Sequence, residues 1–526
     1  MNPNQIAVLG CGTMGAGIAQ AALAAGYAVM LYDVSAPALE RARERIAAGL
    51  SKQGHTAAIE RLGPATALEQ IAGAALAIEA APEQLDLKRE LFAKAGAICP
   101  APAVLASNTS SLPIAALAAA APDPQRVAGL HFFNPVHRMA LVEVVRATAT
   151  DDTTIAALLA FVERLGKTAV QTRDTPGFVV NRVARPFYGE ALRLLGEDMA
   201  KPAAIDAALE QAGGFPLGPF ALMDLIGIDV NLAVTRSIYE QSFGEPRFRA
   251  HPIQLQMVLA GNLGRKSGRG FYEYDGQEMG AGGRRSPESG DIAAAPTPNT
   301  QPPTAGSVLF SSGTWAPGVA ELCASAGLTV ADQLPYTADP SLRAAFVVAG
   351  RGESAADQLM ILDRQLPADT PIFAQCADTC ACDLAALLRY PERLVGFDGL
   401  WTRGAITLVA TPVLAAAVRE QADTLVRGLG RAPIWIADAP ALIVPRVVAM
   451  LANEAAFALG EGVADAATID TAMRLGANHP VGPLARAAEL GYDKIVALLD
   501  HLHAEYGEER YRVAPALRRA ARVGRM

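Results

Sequence analysis

The chain has 526 residues, 51% of them hydrophobic, with a net charge of −8. That length exceeds what one hydrophobic core organises, so three or more domains are expected. Mild acidity without a basic stripe argues against a nucleic-acid partner. The six cysteines, Cys11, Cys99, Cys323, Cys376, Cys380 and Cys382, show no framework spacing and fit a reducing cytoplasm. Cys376, Cys380 and Cys382 cluster without a nearby histidine, so free thiols and no metal site are expected.

Met1 to Tyr32 carries no charged residue, yet no basic n-region precedes its apolar part, and five glycines break it. Neither a signal peptide nor a membrane span is expected, and no membrane partner. Ile6 to Leu9 reads as a buried strand. Gly10, Cys11, Gly12, Thr13, Met14 and Gly15 follow, then an Ala-rich helical run to Ala25. Gly26 ends that helix, and Tyr27 to Tyr32 reads as a second strand closed by Asp33. Strand, glycine triplet, helix, strand and acid in this order form a dinucleotide site. The glycines let the backbone approach a pyrophosphate, and Asp33 accepts from a ribose 2′-hydroxyl. No Arg or Lys follows Asp33 until Arg41, so NAD is expected rather than NADP.

Arg41 to Lys52 reads as an amphipathic helix with a solvated basic face. Leu76 to Ala80 is a further strand, followed by Pro82, Glu83, Gln84 and a helix containing Lys88. Val104 to Ala106 leads into the hydroxyl-rich Ser107-Asn108-Thr109-Ser110-Ser111, and such loops at strand C-termini are where α/β sheets place substrates. Leu130-His131-Phe132-Phe133-Asn134-Pro135 and Leu141-Val142-Glu143-Val144-Val145 read as strand, turn, strand, bringing His131 and Glu143 face to face. A carboxylate fixes the imidazole tautomer and stabilises the imidazolium, which suits a general base acting on an alcohol.

With Asp174-Thr175-Pro176-Gly177-Phe178-Val179-Val180-Asn181-Arg182 the chain resembles the L-3-hydroxyacyl-CoA dehydrogenases. GCGTMG, SNTSSLPI, GLHFFNP with its trailing LVEVV, DTPGFVVNR and GRKSGRGFYEY carry the likeness over residues 1 to about 275. The resemblance implies a catalytic dyad of His131 and Glu143, with Ser110 and Asn181 contacting the substrate. It implies cofactor contacts from Asp33, Glu83, Lys88, Ser110, Asn134 and Lys266. The family's CoA-contacting tail matches poorly at Ser51 to His55, and Lys52 is the residue carried over from it.

The implied activity is NAD-dependent oxidation of an L-3-hydroxyacyl-CoA to the 3-oxoacyl-CoA, in fatty-acid β-oxidation or related acyl-CoA catabolism such as phenylacetate degradation. A dehydrogenase of free 3-hydroxy acids is the alternative enzyme. A non-catalytic NAD-binding scaffold is the alternative of another class. No hydratase domain is expected ahead of the fingerprint.

Pro186 to Ile238 reads as helices interrupted at Gly213 to Pro219, and Gly276 to Gly306 as a flexible linker rich in Gly, Pro, Ser, Thr and Ala. Beyond the linker the pattern repeats. Asp174-Thr175-Pro176 recurs as Asp438-Ala439-Pro440, Ile205-Asp206 as Ile469-Asp470, and Phe215-Pro216-Leu217-Gly218-Pro219 as His479-Pro480-Val481-Gly482-Pro483, all offset by 264 residues. The second copy lacks the working parts. Ser311 to Ala316 stands where the glycine fingerprint belongs, Asp398 in the place of His131, Val409 in that of Glu143, and Pro445 in that of Asn181.

The expected fold class is α/β: a Rossmann-type dinucleotide-binding domain followed by an all-α domain, repeated in a degenerate second copy. The expected boundaries are 1–182 and 183–275 for the first copy, 276–306 for the linker, and 307–437 and 438–526 for the second. The expected assembly is a homodimer, or an intrachain pseudo-dimer through the duplicated helical domains.

Overall fold

The computed structural model describes residues 2–274, 306–311, 318–331, 341–347, 355–377, 379–398 and 404–526. The linker expected at 276–306 lies, but for its last residue, outside the described residues, as does the fingerprint replacement from 312 onward.

The first sheet has eight strands: β1 (Asn2–Leu9), β2 (Ala28–Tyr32), β3 (Leu62–Ala65), β4 (Ala74–Glu79), β5 (Val104–Ser107), β6 (Val127–Phe132), β7 (Leu141–Arg146) and β8 (Thr168–Arg173). Their order is β3-β2-β1-β4-β5-β6-β7-β8, parallel except where β7 runs against β6. Chain order reverses between β1 and β4, and such a switch point opens the crevice where an α/β sheet takes its ligand. The strands read as nearly continuous apolar runs because helices cover both faces. Ile6, Val8, Val29, Leu31 and Ile78 belong to the core on one face, and Ala7, Leu9, Ala77 and Leu105 to the core on the other.

Helix Thr13–Ala24 is built of small residues that let it lie close on the sheet, and Gly26 turns the chain out of it at φ 89°. Helix Ala36–Lys52 starts at Ser35, whose Oγ accepts from the Ala38 amide. Leu39, Ala42, Ile46 and Leu50 recur at helical spacing and face inward, leaving Arg41, Arg43 and Arg45 exposed.

The second sheet has seven strands: β9 (Ser307–Ser311), β10 (Thr329–Ala331), β11 (Leu342–Val347), β12 (Ile372–Gln375), β13 (Leu394–Phe397), β14 (Ala405–Ala410) and β15 (Ala432–Ala437). Their order, β10-β9-β11-β12-β13-β14-β15, reproduces the first sheet from β2 to β8, with β14 again antiparallel to its neighbour β13. The arrangement of sheet and following helices is thus repeated.

The described residues gather into two compact units. One comprises Met1–Ala184, Arg236–Gly244 and Glu454–Ala485; the other comprises Arg185–Thr235, Glu245–Asn453 and Arg486–Met526. Each unit therefore combines a sheet from one copy with helical segments from both. In the first unit, helix Ala466–Gly476 packs on β7 and β8, and the Arg173 amide at the end of β8 donates to the Val463 carbonyl at 3.0 Å. In the second unit, residues 202–212 pack on β14 and β15, and the Ala437 amide at the end of β15 donates to the Met199 carbonyl at 2.9 Å. These contacts correspond one to one at the same offset of 264.

The buried ion pairs correspond too. Arg182 Nε meets Glu454 Oε1 at 2.7 Å and its Nη1 meets Glu461 Oε2 at 2.8 Å. In the other unit Arg446 Nε meets Glu190 Oε2 at 2.8 Å and its Nη1 meets Glu197 Oε2 at 3.2 Å. Burial works against each charge, but the facing carboxylates outweigh it and both guanidiniums are held more firmly protonated than usual. Capping acids repeat as well. Asp174 accepts from the Ile114 and Ala115 amides as Asp438 does from Ala381 and Cys382, and Asp206 accepts from Phe220 and Ala221 as Asp470 does from Leu484 and Ala485.

The strand register corrects one sequence expectation. In β13 and β14, Gly396 pairs with Val409 and Phe397 with Leu408, which matches Gly129 with Val145 and Leu130 with Val144 in β6 and β7. Continuing by one pair puts Thr407 opposite Asp398. Thr407 also pairs with Ile434 as Glu143 pairs with Val170. Thr407, not Val409, therefore occupies the place of Glu143.

Candidate active site

At the N-terminal turn the glycines are set by space. Gly10 has φ 104°, and a Cβ there would lie 2.6 Å from the Ala80 carbonyl oxygen. A Cβ on Gly15 would run into the Gly10 carbonyl, whereas at Gly12 the space is open. Gly12 and Thr13 are exposed at the start of helix Thr13–Ala24, Met14 is half-buried, and Cys11 and Gly15 are buried. An exposed glycine at a helix N-terminus, with room in front of its backbone, fits a pyrophosphate.

Asp33 closes β2 beside this turn. Its Oδ2 accepts from the Cys11 amide at 3.0 Å and its Oδ1 from the Ser35 amide at 3.0 Å. Burial opposes ionisation, but hydrogen bonds from Cys11 and Ser35 outweigh it and hold the carboxyl below the usual range. Burial and the neighbouring Asp33 push the Cys11 thiol up to about 11, so this cysteine is not a nucleophile. Arg45 donates to the Cys11 carbonyl at 3.0 Å, while Lys52 is exposed in the last turn of the same helix.

The Ser107–Ser111 loop is fixed from below. Glu83 Oε1 accepts from the Thr109 hydroxyl, the Ser110 and Ser111 amides and the Ser111 hydroxyl. Burial opposes the charge on Glu83, but Lys88 and these hydrogen bonds keep its pKa below the usual value. Lys88 is 1% exposed, its ammonium 2.8 Å from Glu79 and 2.9 Å from Glu83. It lies inside this network, between Glu79 and Glu83. Glu79 also accepts from the Ser107 hydroxyl and the Ala81 amide. The sequence reading missed Glu79, although an acid ending the apolar strand Ala74–Glu79, nine residues before Lys88, was a readable signal.

His131 is the last residue but one of β6 and lies opposite Glu143 in β7. His131 Nδ1 is 2.7 Å from Glu143 Oε2, and both residues are buried, at 5% and 0% exposure. The other carboxylate oxygen, Oε1, accepts from the Val179 and Val180 amides, each at 3.0 Å. An ionised carboxylate only accepts, so Nδ1 donates to it and Nε2 is left with the lone pair. The His131 ring lies between Phe133 and Phe178, with ring centroids at 4.6 and 5.8 Å.

Asn181 follows directly on the two amides that hold Glu143, and its Nδ2 reaches the Ser110 carbonyl at 3.4 Å. The structure thus brings together His131, Glu143, Asn181 and the Ser110 loop. Asn134 is exposed just beyond β6. Lys266 belongs to the other compact unit, where its ammonium pairs with Asp229 at 2.5 Å.

The second copy offers different chemistry at the corresponding strand ends. Asp398 and Thr407 are both fully buried, and Thr407 Oγ1 has no hydrogen-bond partner among the described residues. Neither side chain can take a proton from an alcohol as a supported imidazole can.

Residues 5–175 match the family model of the 3-hydroxyacyl-CoA dehydrogenase NAD-binding domain. Residues 177–274, and a second time 442–526, match the model of the 3-hydroxyacyl-CoA dehydrogenase C-terminal domain. The chain is 38% identical to the 3-hydroxyadipyl-CoA dehydrogenase of Escherichia coli K12, over 99% of this chain and 98% of that protein. It is 43% identical to a probable 3-hydroxybutyryl-CoA dehydrogenase of Bacillus subtilis, over 52% of this chain and 99% of that protein. The crystal structure of a 3-hydroxybutyryl-CoA dehydrogenase from E. coli K12 matches with a TM-score of 0.80 at 36% identity, covering 100% of this chain and 99% of that one. Among the described residues no helix is long and apolar enough to cross a membrane.

Proposed function

The chain belongs to the 3-hydroxyacyl-CoA dehydrogenase family, and from that premise we propose that its first copy alone carries the reaction, with His131 as general base. The enzyme is an NAD-dependent 3-hydroxyacyl-CoA dehydrogenase. The observation that carries the assignment of the base is the 2.7 Å contact between His131 Nδ1 and Glu143. It leaves Nε2 as the acceptor for the C3 hydroxyl proton.

NAD, when bound, supplies the nicotinamide that takes the hydride from C3. The Gly10 to Gly15 turn and Asp33 would hold its pyrophosphate and adenosine ribose, and Glu83, Ser110, Asn134 and Lys266 are the further contacts proposed. As the C–H bond of the alcohol breaks, its O–H proton passes to His131 Nε2, and Glu143 balances the imidazolium. The Ser110 hydroxyl and the Asn181 amide are proposed to hold the C3 oxygen in line, a positioning contribution. Lys52 is proposed as a contact to the CoA moiety.

Substrate is taken as an L-3-hydroxyacyl thioester of CoA. Of two relatives that match over the whole chain, one is named for the adipyl substrate and the other, a solved structure, for the butyryl one. Rates with 3-hydroxybutyryl-CoA, 3-hydroxyadipyl-CoA and free 3-hydroxybutyrate separate these classes and exclude the free acid if it is inert. The pathway proposed is fatty-acid β-oxidation or related acyl-CoA breakdown, phenylacetate degradation included.

The helical domains of the two copies are proposed to form an intrachain pseudo-dimer. Residue i of one copy meets j of the other while j's counterpart meets i's, as in a two-fold interface, and this reciprocity of Arg182 with Glu454 and Arg446 with Glu190 supports the reading.

The deciding experiment is His131→Ala in the full chain. Turnover should fall by roughly 100-fold or more with NADH binding retained, the scale of lost general-base catalysis. Turnover near wild type sinks the assignment.

A further inference from the structure

Val179 and Val180 donate to Glu143 from the start of Val180–Val183, a helix of 4 residues that the single residue Ala184 joins to helix Arg185–Gly196. The chain enters it through Gly177 at φ 77° and Phe178 at φ 50°, a left-handed conformation that a bulky residue keeps only when its surroundings over-determine it.

What fixes this turn comes from the second copy. Arg182, inside the turn, is 4% exposed and is gripped by Glu454 of helix Val444–Gly460 and by Glu461, the residue just after that helix. Helix Ala466–Gly476 adds a second contact: a Cβ on Gly476 would lie 2.7 Å from Leu141 of β7 and 2.8 Å from Val180. The strand bearing Glu143 and the turn that orients it are therefore both held by residues beyond the linker.

We propose that Glu454 and Glu461 are positioning residues for the dyad: through Arg182 they hold the Val179–Val183 turn so that its amides fix Glu143, which in turn fixes His131. The degenerate copy is then part of the catalytic apparatus without touching substrate. The proposal rests on the dehydrogenase reading of His131 and Glu143.

The fold provides its own control. The same left-handed pair recurs as Ala441 at φ 62° and Leu442 at φ 54°, leading to Arg446 between Glu190 and Glu197. That second clamp serves a strand carrying Thr407 instead of Glu143, so it has no dyad to align.

The test compares two full-chain double variants, Arg182→Met with Glu454→Leu and Arg446→Met with Glu190→Leu. Each removes both members of a buried pair, a change that often leaves stability intact. Readouts are kcat with 3-hydroxybutyryl-CoA, the primary isotope effect with substrate deuterated at C3, the NADH dissociation constant and the melting temperature. The first variant should lose about 10-fold or more in kcat and show a larger isotope effect, because misplacing a reacting group slows the chemical step. NADH affinity should stay unchanged. The second variant should keep kcat within about 2-fold, the change expected where no reacting group moves. Equal kcat losses in both variants, or loss in neither, overturn the proposal.

Should the first variant not fold, Glu461→Gln replaces its role, since Glu461 is 48% exposed and tolerates neutralisation. A kcat lowered by about 3-fold supports the clamp through a smaller displacement, and wild-type kcat overturns it. His131→Ala is run alongside. If it too turns over at the wild-type rate, the dehydrogenase assignment of the site has failed, and not only the clamp.

Discussion

In the first copy a histidine and a glutamate face each other across β6 and β7; in the second, Asp398 and Thr407 stand there, buried. Nearly everything around these positions is the same. Both copies keep the acid that caps a helix from the end of their last strand, Asp174 and Asp438. Both keep the left-handed turn and the arginine paired with two glutamates of the other copy. The contacts that fold the sheet and lock the helices are shared, while the groups proposed to move a proton are not. The two requirements are thus separable at the level of single residues, and the separation can be attacked experimentally.

The largest expected effect tests the shared part. Arg182→Ala and Arg446→Ala each remove the arginine that pairs with a buried glutamate, Glu454 or Glu190, and each should destabilise the chain by about 3–5 kcal/mol. Chemical denaturation should give similar losses for the two, whereas only Arg182→Ala should also impair turnover. A loss confined to one of them would break the pseudo-symmetry.

Next comes a difference between the copies. His479 stands where the first copy has Phe215, and burial lowers its pKa from 6.5 to about 4. An unfolded chain takes up the proton below about 6.5 and the folded one does not, so the folded state is favoured above that pH. That stability is lost as pH falls from about 6.5 towards 4, by up to ~3 kcal/mol at about 1.4 kcal/mol per pH unit. His479→Phe should flatten the stability profile across this window; an unchanged slope would show that the imidazole is not the group responsible.

The smallest effect is on the caps. Asp174→Ala and Asp438→Ala each remove an acceptor for two amides, and each should lower stability by about 1 kcal/mol. Melting curves of the two variants should shift alike.

Much of the first copy was legible in the chain. The glycine turn, Asp33, and the His131 and Glu143 strands each follow from local pattern, and the structure pairs His131 with Glu143. The second copy was legible only where the offset stays constant. Gly129 and Gly396 differ by 267 positions but Val145 and Val409 by 264, so the second copy is three residues shorter between these paired positions. At the offset of 264 Val145 answers to Val409 and Glu143 to Thr407, so the constant offset and the register agree on Thr407. Lys88 was readable as a charged residue but not as a buried one, because its burial depends on how β4 and the following helix pack, not on the residue itself. Arg182 lay inside a recognised motif and drew no role, though Arg182, Glu190 and Glu197 all recur 264 residues on as Arg446, Glu454 and Glu461. What the chain could not disclose is that these partners cross over between the copies.

The central claim is that one copy works and the other supports it. Titration calorimetry of the intact chain with NADH tests it most directly. The account predicts a stoichiometry of one NADH per chain, abolished or sharply weakened by Asp33→Ala. A stoichiometry of two would contradict it, because the second sheet would then be a working cofactor site.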